Sequence, residues 1–232
     1  MGECFSGGFL DDLARLGGRQ STVTSARHTE TASYGYEPPE GVNIDYTDAF
    51  IQGLADGHST AEQTAAHTAA IDPFGPNPGT ARGSEPIGSE HTQYFAAGGG
   101  AGLRPADFAR TGIAVLWAGM PAERDGTQMN LMIERLVTMG YARDRIWLMY
   151  GGGTLAPEHE IARSQIKGVN DAVHTLGATR DNLVNLFHAT FVEKSAASVP
   201  NFVFFYVGDH GGLDGEKVAK NNFGRLDSLV SH

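Results

Sequence analysis

Two short stretches hold the residue types that nucleophilic catalysis needs. The first is Gly2-Glu3-Cys4-Phe5-Ser6-Gly7-Gly8-Phe9, which contains the single cysteine and leads into Leu10, Leu13 and Leu16 at helical spacing. A thiol just ahead of a glycine-containing turn and a helix start lies near backbone N–H groups and the positive end of a helix dipole, which favours the thiolate. The plain alternative is a small buried hydrophobe or a chain end. The second stretch is Gly208-Asp209-His210-Gly211-Gly212, directly after the apolar run at 201–207. An imidazole there is a general acid or base near neutral pH, and the glycines let a ligand come close to the backbone. Taken alone, an Asp-His-Gly turn serves equally well to satisfy loop amides. Together the two stretches supply a nucleophile and a proton carrier.

The elements that must position them follow from the apolar pattern. Runs at 111–118, 145–150 and 201–207 are short, continuous, rich in β-branched and aromatic residues, and each ends in glycine. This is the pattern of strands buried on both faces. Between the first two, residues 127–140 place Met129, Leu131, Met132, Leu136 and Met139 near helical spacing with Gly140 as the stop. Between the second and third, 160–176 and 179–191 read as helices, the latter with Leu183, Leu186 and Phe187 on one side. Strand, helix, strand, helices, strand is the signature of βαβ crossovers and an α/β fold with a parallel sheet. The first hundred residues read as a short strand at 21–26, a helix at 46–54 capped by Asp45 or Thr47, and a helix at 60–70 opened by Ser59 and Thr60 with Glu62 and Gln63 behind them. Residues 72–104 are dense in Pro and Gly and read as a functional loop or linker joining two halves of one fold.

Composition narrows the partners. The chain has 232 residues, long enough for one domain with a sizeable core. Its net charge of −10 argues against nucleic acid and anionic membrane surfaces as partners. One cysteine makes no intrachain disulfide. No run reaches the 18 apolar residues of a membrane span, and the first residues do not form a signal peptide; Ser6 sits where the myristoylation pattern wants Ser or Thr, but the match is not convincing, and localisation stays open. Cys4, His28 and His210 lack the spacing of a zinc motif, and Asp45, Asp48, Asp56 and Asp72 that of an EF-hand, so no metal or cofactor is expected. An esterase using His210-Gly211-Gly212 as an oxyanion loop would need a Gly-x-Ser-x-Gly elbow, which the sequence does not contain.

Residues 202–212 and 3–9 resemble the His and Cys motifs of the caspase-like cysteine peptidases, nearest to the legumain-type family and its bacterial relatives. Residues 113–119, 136–150, 178–183 and 21–36 resemble further parts of that fold. The resemblance implies a three-layer αβα sandwich with a mostly parallel sheet, formed by one domain over 1–232: a Cys-bearing half at 1–71, a connection at 72–104 and a His-bearing half at 105–232. It implies a cysteine endopeptidase acting on peptide or protein substrates, with Cys4 as nucleophile, His210 as general acid and base, and the N–H groups of Gly211 and Cys4 as oxyanion hole. Glu3, Ser25, Arg27, Glu30, Arg124 and Asp209 are the candidate substrate-binding residues. The order departs from the family: His motifs precede Cys motifs there, by about fifty residues in caspases, whereas His210 lies 206 residues after Cys4. The chain therefore reads as circularly permuted. Only Met1, Gly2 and Glu3 precede the cysteine, so the strand that should deliver it to the sheet is missing. That shortfall leaves two further expectations, an inactive scaffold or interaction module as the alternative function, and a homodimer through an exposed sheet edge.

Overall fold

The computed structural model describes residues 10, 15, 17–25, 46–54, 57–71, 92–118, 123–150, 173–195 and 199–208. They belong to two compact units divided in the chain between Pro105 and Ala106.

The second unit is a mixed α/β structure built on a four-stranded parallel sheet. Its strands are β3 (Ile113–Ala118), β4 (Ile146–Tyr150), β5 (His174–Leu176) and β6 (Val203–Val207), in the order β5-β4-β3-β6. Helix α3 (Glu123–Thr138) connects β3 to β4, and helix α4 (Arg180–Phe191) precedes β6. The register sets Val115 beside Trp147 on one side and Phe205 on the other. All six residues of β3 are buried, as a central strand covered on both faces requires. The two helices lie on opposite faces. Met129 of α3 approaches the Gly208 side, where Cε is 3.4 Å from the position a Cβ would take, whereas the Phe187 ring of α4 lies 6.5 Å from that of Phe205 on the other face. The crossovers run in opposite directions across the sheet, so a common right-handedness produces this division.

Helix α3 begins four residues earlier than its apolar pattern suggests, and its buried face differs by one residue. Met129, Met132, Ile133 and Leu136 are buried, whereas Leu131 is 40% exposed. The helix ends at Gly140, with φ 101°, where the Tyr141 N–H donates to the Leu136 carbonyl at 3.0 Å. The expected helix at 160–176 fails at its described end, since His174–Leu176 is strand β5. Pairing with β4 overrides local propensity there: the His174 ring stacks on Trp147 at 4.0 Å, and its Nε2 lies 3.1 Å from the Asp144 carbonyl. Residues 151–172 are outside the described set. Helix α4 starts as expected, with the Asn182 N–H donating to Thr179 Oγ1 at 3.3 Å.

The first unit pairs β1 (Gln20–Thr24) antiparallel with β2 (Gln93–Ala97), Thr22 opposite Phe95, and contains helices α1 (Tyr46–Leu54) and α2 (Ala61–Ile71). Strand β2 corrects the reading of 72–104 as loop throughout. Gln93-Tyr94-Phe95-Ala96-Ala97 has two aromatic residues but no β-branched one and runs into Gly98-Gly99-Gly100, so a short, weak strand signal is completed by pairing with β1. Gly98 has φ 58°, and a Cβ there would collide with the Gly18 carbonyl. Helices α1 and α2 approach closely at Gly53, where a Cβ would lie 3.0 Å from Thr68 Oγ1. Helix α2 opens on a capping box: the Gln63 N–H donates to Thr60 Oγ1 at 3.3 Å, and the Thr60 N–H donates to Gln63 Oε1 at 2.9 Å.

Candidate functional site

The strand order locates the candidate site within the second unit. From β3 the chain builds outward through β4 to β5, then crosses back to place β6 on the opposite side of β3. The direction of building reverses between β3 and β6. In open parallel sheets, ligands bind outside the carboxyl ends of the strands at such a reversal, because connections leave in opposite directions and open a crevice there.

The described strand ends on that side of the sheet are apolar, and buried polar groups occur in the neighbouring elements. Ala118, Tyr150 and Val207 end their strands and are buried, and the Gly208 N–H continues the ladder by donating to the Trp117 carbonyl at 2.9 Å. A Cβ on Gly208 would sit 3.1 Å from the Tyr206 hydroxyl and 3.2 Å from its ring, so the position requires a small residue unless Tyr206 shifts. Gln128, near the start of α3, is buried and hydrogen-bonded. Among the described residues the buried Trp117 Nε1–H has no hydrogen-bond partner. An orphaned donor of this kind costs about 1–3 kcal/mol. Sequence reading missed it, because a tryptophan inside an apolar run reads as a hydrophobe and only the structure reveals an unmet N–H. Further from the rim, burial pushes the Tyr141 hydroxyl well above the usual phenol range.

The sequence-derived site residues divide between the two units and the undescribed segments. Ser25 follows β1 in the first unit and is fully buried and partnered. Arg124 is the second residue of α3 by backbone. Glu3, Cys4, Arg27, Glu30, Asp209, His210 and Gly211 lie outside the described residues. Leu10 and Arg15, downstream of Cys4, have helical backbone. Among the described residues no group of three or more His, Cys, Asp or Glu side chains could hold a metal ion, and no helix is long and apolar enough to cross a membrane.

No family model, no curated protein and no solved structure matches this chain.

Proposed function

We propose that the chain is a cysteine endopeptidase with a permuted, three-layer caspase-like architecture. The observation that carries this reading is the reversal of strand order between β3 and β6. The residues that follow β6 in the sequence are Gly208-Asp209-His210-Gly211-Gly212, so a histidine with glycines on either side comes directly after a strand next to the reversal.

In the proposed reaction the Cys4 thiolate attacks the scissile carbonyl and forms a C–S bond. The N–H groups of Gly211 and Cys4 stabilise the oxyanion, each contributing about 3–4 kcal/mol to the transition state. Collapse breaks the C–N bond as His210 donates a proton to the leaving amine. Water then attacks the thioester with His210 as base, releasing the acid and restoring the thiol. Glu3, Ser25, Arg27, Glu30, Arg124 and Asp209 are assigned to the substrate side. Acyloxymethyl ketone peptides with Asp, Asn, Arg or Lys at P1, followed by mass spectrometric location of the adduct, test the proposal. It predicts rapid modification of Cys4 by one P1 class and loss of that selectivity in His210→Ala. Slow labelling, equal across P1 classes and unchanged by the histidine substitution, identifies a scaffold instead.

A further inference from the structure

Strand β6 ends the four-stranded sheet among the described residues. The Ile113 N–H donates to the Phe202 carbonyl at 3.0 Å and the Gly208 N–H to the Trp117 carbonyl at 2.9 Å. Even-numbered residues of β6 therefore address β3. The alternation of a parallel ladder turns the backbone N–H and C=O groups of Val203, Phe205 and Val207 to the opposite side. Among the described residues none of these outward groups has a hydrogen-bond partner. Residues 201–207 contain no charge, no proline and no glycine, three of the sequence devices that blunt an edge.

A second observation lies beside this edge. Phe205 is 36% exposed, and its ring continues into Phe187 at 6.5 Å and from there into Phe191 at 5.9 Å, both only half-buried on α4. The open ladder is thus flanked on one face by an aromatic strip.

We propose that this edge is a homodimer interface, in which β6 pairs antiparallel with β6 of a second copy about a two-fold axis perpendicular to the sheet. The axis falls on the stretch from Asn201 to Phe205, since Asn201 and Phe205 are exposed and Val203 half-buried, while Val207 is already covered. A second copy suits the site for three reasons. A two-fold axis through an antiparallel pair lets one edge satisfy itself with its own unmet donors and acceptors. That operation keeps α4 and its symmetry mate on the same face, so the two aromatic strips meet and add the apolar area that a short ladder lacks. Two chains of net charge −10 repel over most of their surfaces, and the uncharged 201–207 strip lets them approach without placing like charges opposite each other.

Sedimentation of the full chain over a range of concentrations, paired with hydrogen exchange at the Phe205 amide, tests the interface. The expected result is a species of twice 24.7 kDa at high concentration, with protection of Phe205 rising as dimer forms. Phe205→Lys, at an exposed position, is expected to shift the equilibrium to monomer with unchanged circular dichroism. Val203→Pro is the second variant, because it deletes an outward N–H that β3 does not use. Leu131→Lys, on the outer side of α3, is expected to leave the dimer intact. A monomer at every concentration overturns the proposal, as does a dimer that survives both β6 variants. Protection of Phe205 that is the same at all concentrations also overturns it, because the edge is then covered by the chain's own residues.

Discussion

The two units reach order by different routes. In the parallel-sheet unit, order comes from burial: β3 is buried throughout, and Leu116, Met129, Met132, Leu136 and Ile146 have no exposed surface. In the first unit the large buried side chains come mainly from one helix, Tyr46, Phe50, Ile51 and Leu54 of α1, whereas β1 is only half-buried over its first three residues, Tyr94 of β2 is 41% exposed, and the buried positions of α2 are Thr64, Ala65 and Thr68. There, close approaches at Gly53, Gly98 and Gly100 and the Thr60–Gln63 box add to those side chains. A core of large side chains tolerates loop variation and fails through cavities. Where a close backbone approach depends on glycine, a single added Cβ is enough to disrupt it.

Both tryptophans, Trp117 and Trp147, lie in the parallel-sheet unit, so their fluorescence follows that unit alone. The largest effect is expected from Leu116→Ala, which should lower the stability of this unit by about 2–5 kcal/mol. Urea titration followed by tryptophan emission measures the loss. Next comes Gly98→Ala, expected to cost about 1–3 kcal/mol through its positive φ and its collision with the Gly18 carbonyl. Faster amide exchange in β1 and β2 with an unchanged tryptophan transition would sharpen the contrast between the units, and an equal loss in both would break it. Cap removal is smaller and symmetrical: Thr60→Ala and Thr179→Ala should each cost about 1 kcal/mol, one in each unit, read by exchange in α2 and α4. The smallest effect at neutral pH belongs to Tyr141→Phe. The folded state holds the Tyr141 phenol neutral, so its contribution is fully present below the unfolded value of about 10 and declines as pH rises above it. Alkaline denaturation of the parent chain should be steeper with pH than that of Tyr141→Phe.

This division also explains what could be read from residues alone. The runs ending at Ala118, Tyr150 and Val207 are apolar and bounded by glycine, and each is a strand within two residues of its expected start. Thr60 and Thr179 signal their helices because a cap acts within a single turn. Strands β2 and β5 escaped, since Gln93–Ala97 and His174–Leu176 are defined by partners 69 to 77 and 27 residues away in register. The candidate site divides similarly. The glycine-flanked His210 after a buried strand is legible as a motif, and the reversal beside β3 depends on strand order, which no local pattern encodes. The unmet Trp117 N–H was invisible for the same reason.

The central claim is that Cys4 and His210 act as one catalytic pair, and the pH dependence of Cys4 alkylation by iodoacetamide tests it most directly. Paired with an imidazole, the thiol should react rapidly well below the usual cysteine value of about 8.5, and His210→Ala should return its profile to that value. An alkylation profile centred near the ordinary cysteine value in the parent chain, and identical in His210→Ala, would contradict the pairing and with it the assignment as a peptidase.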